Sequence, residues 1–107
     1  MKKYKVVIEP LAKQDLKETF YFARNDSITS AEKLLSALEK TCYSLEEFQD
    51  RGHIPIELKP TGIKRYLEIY YKPYRVIYEI EKNLINIHSV LDYRRNILGI
   101  LSKRLLR

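Results

Sequence analysis

The first half of the chain shows a strand pattern followed by helical patterns. Tyr4, Val6 and Ile8 fall at every second position, which predicts a strand with one covered face. Pro10 then opens a run with apolar residues at helical spacing, and this run predicts a first helix over residues 10–24.

The second helical pattern starts from a capping signal. Thr29 followed by Glu32 has the form of a capping box, in which a hydroxyl and a carboxylate bond to free amide groups at a helix start. An apolar stripe follows, with charged residues on the remaining positions, so the two helices predict a helical hairpin. The stripe comprises Ala31, Leu34, Leu35, Leu38, Cys42, Leu45 and Phe48.

The second half of the chain is dominated by strand signals. Residues 66–71, 74–81 and 84–91 are three short runs rich in tyrosine and β-branched residues, separated by turn signals. Links this short force the three strands to pair antiparallel. Apolar residues at helical spacing among basic ones, from Ile97 to Leu105, predict a short C-terminal helix.

These elements predict an α+β fold with the order β-α-α-β-β-β(-α). The helical hairpin has to bury its apolar stripes on one face of a small antiparallel sheet, which leaves the other face available. With 107 residues and no visible linker or repeat, residues 1–107 are expected to form a single domain. A lone cysteine, Cys42, and the lack of a signal peptide or a membrane-length apolar stretch favour a soluble cytoplasmic protein.

The net charge of +6 is unevenly distributed along the sequence. Residues 1–57 hold nine Lys and Arg against ten Asp and Glu, whereas residues 58–107 hold eleven against four. The positive excess suggests a surface for a polyanion, either nucleic acid or an acidic protein. Five tyrosines within thirteen residues alternate with cations there, which suits RNA binding but equally suits an ordinary strand.

Arg75 is the most specific candidate for a functional side chain. Strand alternation places it on the face shared with Ile77 and Glu79. If that face is open, the planar guanidinium suits bidentate binding of phosphate or carboxylate. The alternative is a cross-strand ion pair with Glu68 or Glu79. The residue spacing leaves both hypotheses open.

Signatures of common enzyme classes are absent from the sequence. It contains no glycine-rich phosphate loop, no paired His/Cys metal-ligand spacing and no serine nucleophile elbow. The two histidines, His53 and His88, have no spacing that demands an acid–base pair, so neither is a catalytic candidate. No metal or cofactor is expected.

Three runs of the second half resemble a known family. Residues 74–80 read Tyr-Arg-Val-Ile-Tyr-Glu-Ile, residues 85–87 read Ile-Asn-Ile, and residues 90–97 read Val-Leu-Asp-Tyr-Arg-Arg-Asn-Ile. This order resembles the RelE/ParE toxin superfamily, in which a Tyr-Arg strand, a turn, an apolar strand and a basic pair precede a short helix. The likeness extends more loosely through the helical hairpin and covers nearly the whole chain.

The resemblance implies a twisted antiparallel sheet with the helical hairpin on one side and a concave basic surface on the other. It also implies the toxin of a bacterial type II toxin-antitoxin module, of the plasmid-stabilisation kind, that inhibits growth. The implied partner is a cognate antitoxin, acidic and encoded adjacently, that folds over the toxin. No membrane partner is implied.

The superfamily divides by target. RelE-like members resemble ribosome-dependent mRNA endoribonucleases that need no metal or cofactor, and Arg75 matches their strand arginine. A ribonuclease of this kind would stabilise the phosphate with cations and move a proton with a neighbouring side chain. In this sequence such a ribonuclease would use Arg75, Arg94 and Arg95 as the cations and Tyr93 or Glu68 as the proton-transfer group.

ParE-like members bind and poison DNA gyrase, and their Leu-x-x-Arg-Arg sequence matches residues 91–95. Gyrase inhibition by binding is therefore the favoured hypothesis. The mRNA endoribonuclease is the alternative, and a non-toxic RNA-binding domain is the third hypothesis. The candidate target-binding or RNA-binding residues are Lys59, Lys64, Arg65, Tyr71, Arg75, Arg94 and Arg95.

Overall fold

The computed structural model describes residues 3–105. Its helices and strands follow the predicted order and confirm the α+β fold class. Short 3-10 turns at Ser44–Glu46, Gln49–Arg51 and Ile56–Thr61 connect the helical hairpin to the antiparallel strands. No helix within residues 3–105 is long and apolar enough to cross a membrane. The regular elements are β1 (Lys5–Ile8), α1 (Pro10–Ala23), α2 (Ile28–Tyr43), β2 (Tyr66–Tyr71), β3 (Tyr74–Glu81), β4 (Leu84–Asp92) and α3 (Ile97–Leu105).

The four strands form one sheet with the order β1-β4-β3-β2. The hairpins β2-β3 and β3-β4 are antiparallel, as their short links predict. β1 runs parallel to β4, from Lys5 opposite Leu84 to Ile8 opposite Ile87. The sheet is therefore mixed rather than wholly antiparallel, because the crossover through two helices is long enough to allow parallel pairing.

One face of the sheet packs against the helical hairpin. Leu16 of α1 and Leu38 of α2 are buried in a core with Val76 and Ile87 of the sheet. Burying a side chain of this size stabilises the fold by about 1.5–3 kcal/mol, so this core holds the hairpin on the sheet. Cys42 lies in the same core, and burial raises the pKa of its thiol to about 12, which keeps it protonated at neutral pH.

Helix α2 begins and ends differently from the prediction. Its N-cap is Ser27, whose hydroxyl accepts the backbone N–H of Ser30 at 3.2 Å, so the capping box predicted at Thr29 is wrong. Ser27 has the extended backbone that an N-cap needs, whereas Thr29 is already helical. The helix ends at Tyr43, and Phe48 is 53% exposed rather than part of the apolar stripe.

The second face of the sheet is covered, and the prediction that it stays available is wrong. Ile77 of β3 is buried in a second core with Leu58 and with Ile97 and Leu101 of α3. The apolar side of α3 needs a surface to pack on, and this face provides it. We call the residues that cover this face, 54–66 together with α3, the covering layer.

Candidate functional site

A buried arginine lies on the covered face of the sheet. Arg75, on β3, has a side chain that is only 7% exposed and forms three charged hydrogen bonds. Its Nε donates to Glu68 Oε1 at 2.6 Å, and its Nη1 and Nη2 donate to the two carboxylate oxygens of Glu57 at 2.7 and 2.6 Å. Of the two hypotheses for Arg75, the structure shows the ion pair with Glu68, and it adds Glu57 as a second partner.

The outer rim of this network is formed by two aromatic side chains. The Tyr70 hydroxyl donates to Glu68 Oε2 at 3.0 Å, and His53 Nε2 lies 3.1 Å from the same oxygen. The backbones of His53 and Glu68 also bond to each other in both directions. Sequence reasoning missed Tyr70, His53 and Glu57 as members of the network. His53 and Glu57 come from an irregular segment, and no periodic pattern relates their positions to Arg75.

The contacts between Arg75 and the two carboxylates shift the pKa values of groups in the network. Hydrogen bonding to Glu57, and then the pair with Glu68, raise the pKa of the Arg75 guanidinium. The hydrogen bond from Arg75 lowers the pKa of the Glu57 carboxyl. Burial, and then the bond to Glu68, raise the pKa of the Tyr70 hydroxyl. A phosphate could reach the Arg75 fork only after a buried ion pair had been broken, which is costly.

The lowered pKa of Glu57 predicts an acid-dependent loss of stability. The folded protein releases the Glu57 proton at lower pH than the unfolded chain does, so the ion pair contributes fully above the ordinary glutamate pKa of about 4.3. The free energy of unfolding should therefore fall as the pH drops from about 4.3 through the lowered pKa of Glu57. Chemical denaturation from about pH 3 to pH 7 measures this. In a Glu57→Gln variant the free energy of unfolding should change less with pH over that window. Parallel curves for the variant and the wild type would show that Glu57 does not cause the loss of stability.

An exposed basic corner connects β4 to α3 and consists of Tyr93, Arg94 and Arg95. Arg94 folds back onto Asp92, with its Nε 3.0 and 3.1 Å from the two carboxylate oxygens and its Nη2 bonded to Oδ2. These bonds lower the pKa of the Asp92 carboxyl. Tyr93 is 57% exposed. Within residues 3–105 the Arg95 side chain has no hydrogen-bond or ion-pair partner, so it is the free cation of the pair.

A groove of about 470 Å³ lies beside the basic corner, between α1 and the end of β4. Its apolar lining comes from Phe22, Tyr74 and Val90, and Phe22 is 76% exposed. The charged side chains that line the same groove are Arg94, Arg95, Asp15, Glu18 and Asp92. Exposed aromatic surface next to an unpaired arginine is the composition of a protein-binding hot spot.

Asp15 closes the edge of β4 next to this groove. β1 pairs with β4 only as far as Ile8 opposite Ile87, so the end of β4 has no strand neighbour on that side. Asp15 Oδ2 accepts the Val90 N–H at 2.9 Å in place of a neighbouring strand. Arg104 of α3 donates to both Asp15 oxygens at 2.8 Å. One buried carboxylate therefore joins α1, β4 and α3.

The other predicted binding residues lie on the surface. Lys59, Lys64 and Arg65 are exposed on the covering layer, and Tyr71 is exposed at the end of β2. Arg65 lies over the Tyr66 ring, 5.0 Å from its centroid, and donates to its hydroxyl at 2.9 Å. The predicted residues thus lie in three places, which are the hydrogen-bond network around Arg75, the basic corner and the covering layer. Tyr71 lies in none of them. Within residues 3–105, no group of three or more His, Cys, Asp or Glu side chains could hold a metal.

The sequence matches one protein-family model, described as the ParE toxin of the type II toxin-antitoxin system parDE, over residues 6–97. The match spans most of the chain, and the chain belongs to this family. It is therefore a type II toxin of the ParE/RelE type, which confirms the resemblance found in the sequence. No curated protein sequence matches the chain significantly.

Two solved structures share the fold. One is from the chromosomal ParDE system of P. aeruginosa, with a TM-score of 0.67 and 12% identity, covering 84% of this chain and 96% of that one. The other is from the toxin-antitoxin complex RelBE2 of Mycobacterium tuberculosis, with a TM-score of 0.61 and 19% identity, covering 82% of this chain and 95% of that one. The two structures come from a ParDE and a RelBE system, so the fold alone does not choose between the two mechanisms.

Proposed function

We propose that this toxin inhibits growth by binding DNA gyrase and not by cleaving mRNA. The observation that carries the proposal is the state of Arg75, the one residue that matches the strand arginine of the ribonucleases. Its three donor nitrogens are bonded to Glu57 and Glu68. In a phosphate-cleaving site such an arginine has to face the developing charge on the phosphate. Here its nitrogens face two carboxylates instead, so Arg75 stabilises the fold.

The basic corner and the adjoining groove supply the contact surface in this proposal. Binding energy in protein interfaces concentrates in a few residues, chiefly Trp, Tyr and Arg, near an apolar centre. Tyr93 and Arg95 are exposed, and Phe22 presents a large aromatic surface in the groove that Arg95 lines. Arg94 differs from Arg95 because its guanidinium is held against the Asp92 carboxylate by several hydrogen bonds across the turn. Gyrase binding should therefore depend on Arg95 more than on Arg94.

The same surface suits a cognate antitoxin that is acidic. The gene of this antitoxin is expected next to that of the toxin. The two similar structures are from a ParDE system and from a RelBE toxin-antitoxin complex. The net charge of +6 favours an acidic partner through electrostatic complementarity. An antitoxin that occupied the basic corner would neutralise the toxin by direct competition with gyrase.

Two parallel reactions test the proposed function. Purified toxin incubated with gyrase and supercoiled plasmid should trap double-strand DNA breaks, and the same toxin in an in vitro translation reaction should leave mRNA ends unchanged. Codon-positioned mRNA cleavage by the wild-type toxin would contradict the proposal, and its loss in a Glu57→Gln/Glu68→Gln/Arg75→Met variant shown to be folded would establish the RelE-like ribonuclease. Intact mRNA together with an absence of trapped breaks would also contradict it.

Variants of the basic corner locate the contact. Arg95→Ala should raise the toxin concentration needed to trap half-maximal breaks by about tenfold, the effect of losing one moderate hot spot. Arg94→Ala removes the same charge from the neighbouring position and should have a smaller effect, because that arginine is already paired with Asp92. Equal losses in the two variants would show that net charge, and not a specific Arg95 contact, governs binding.

A further inference from the structure

The positive charge of the described protein is concentrated on the covering layer. Helices α1 and α2 hold four basic and four acidic residues, so the hairpin side is neutral. The covering layer holds five basic residues and one acidic residue, Glu57. Glu57 is engaged by Arg75, and Arg104 is engaged by Asp15. The cations left at the surface of the layer are Lys59, Lys64, Arg65 and Lys103.

Two of these cations, Lys64 and Arg65, are neighbours in space. Both line one depression together with Leu105 of α3. Arg65 has one acidic neighbour, Glu79, at 3.6 Å, and its side chain is 66% exposed. An ion pair this exposed is worth little and leaves Arg65 available to a stronger anion.

The stretch from Lys59 to Arg65 lacks the features of a protein-binding site. None of the large hydrophobic side chains that are exposed within residues 3–105 falls in this stretch, and the two that the covering layer does contain, Ile56 and Leu98, lie outside it. Protein interfaces need an apolar or aromatic centre and are depleted in lysine. Binding to a nucleic-acid backbone needs neither feature, because phosphates are held by dispersed lysines and arginines with release of counterions.

The aromatic side chain of this surface is not free to stack on a base. Tyr66 is only 5% exposed, its ring is covered by Arg65, and His88 packs edge-on at 5.3 Å between ring centroids. Proteins that hold single strands offer exposed aromatic rings as stacking platforms. The cations between Lys59 and Arg65 therefore suit a paired duplex, whose bases are already stacked, better than a single strand.

We propose that the covering layer binds the phosphate backbone of duplex DNA, independently of sequence, through Lys59, Lys64, Arg65 and Lys103. The choice of DNA as the duplex rests on the proposed function, since gyrase acts on DNA. In this arrangement the basic corner contacts the enzyme while the covering layer contacts the DNA that the enzyme holds. Two separate surfaces of one small toxin would then engage the two components of the same complex.

The test measures DNA binding by the full-length toxin without gyrase. The probe is a fluorescent mixed-sequence duplex of about 20 base pairs, followed by anisotropy as the salt concentration is raised. With up to four phosphate contacts, the logarithm of the binding constant should fall against the logarithm of salt with a slope of about −3 to −4. A Lys59→Ala/Lys64→Ala/Arg65→Ala variant should bind at least about tenfold more weakly at low salt, with a slope shallower by about 2 to 3.

A matched control carries the same change in net charge on the neutral side of the molecule. Lys17→Ala/Lys33→Ala/Lys40→Ala removes three exposed lysines from the helical hairpin and should leave both the affinity and the slope close to wild type. Equal losses in the two triple variants, absence of binding at low salt, or tighter binding to single-stranded RNA of the same length would each overturn the proposal. Gyrase binding measured in the absence of DNA reports on the proposed function separately, so the two can fail independently.

Discussion

An Arg75→Met variant should have a free energy of unfolding about 3–5 kcal/mol lower than that of the wild-type protein. The substitution leaves the carboxylates of Glu57 and Glu68 on the covered sheet face without the guanidinium that compensates them. Glu68 is almost fully buried, so water cannot replace the lost partner there. Urea denaturation followed by circular dichroism at neutral pH measures the difference.

Two further variants show whether this loss comes from uncompensated buried charge. Arg65→Met removes an exposed arginine and should change stability by less than about 1 kcal/mol. Combining Arg75→Met with Glu57→Gln and Glu68→Gln removes the two unpaired charges and should restore most of the lost stability, because an uncharged replacement of a buried ion pair is tolerated. If the triple variant is as unstable as Arg75→Met alone, the loss has another cause.

An Asp15→Asn variant should be destabilised by about 3 kcal/mol. The Asp15 carboxylate accepts hydrogen bonds from Val90 and from two nitrogens of Arg104. An amide has one acceptor oxygen, so some of these donors lose their partner, and Arg104 loses its counter-charge. Hydrogen exchange of the Val90 amide should accelerate together with that of Leu101, because the same carboxylate anchors the end of β4 and α3.

Glu18 provides the control for this prediction. It lies on the same helix, one turn after Asp15, and its side chain is exposed. Glu18→Gln should leave the free energy of unfolding within about 0.5 kcal/mol of wild type. Destabilisation of similar size in the two variants would show that α1 tolerates acidic-to-amide changes poorly in general, and would remove the special role given to Asp15.

The regular elements could be predicted from the sequence because local patterns determine them. The strand boundaries at Tyr66–Tyr71 and Tyr74–Glu81 were predicted correctly, since tyrosine and β-branched runs end at clear turn signals. The start of α2 was not, because Ser27 and Thr29 are both acceptable caps. Which of them acts is decided by the backbone of the preceding loop, and a pattern of residue types does not contain that information.

The burial and pairing of Arg75 depend on contacts between segments that are far apart in the sequence. Arg75 was placed on the correct strand face, but its burial follows from the packing of α3 and of the segment that carries Glu57. Strand alternation also fails after the β-bulge in the β3-β4 pairing. Beyond it, Val90 packs in the hairpin core while His88 contacts Tyr66 on the other face. Bulges and loop contacts have no periodic signature, so the sequence did not reveal them.

The central claim is that Arg75 stabilises the fold and takes no part in toxicity. The most direct test is the ability of the Glu57→Gln/Glu68→Gln/Arg75→Met variant, once shown to be folded, to trap gyrase–DNA breaks and to arrest growth on expression. The account predicts that this variant retains both activities at close to the wild-type level, because the basic corner is unchanged. A folded variant that no longer arrests growth or traps breaks would contradict it, and would return Arg75 to the functional site.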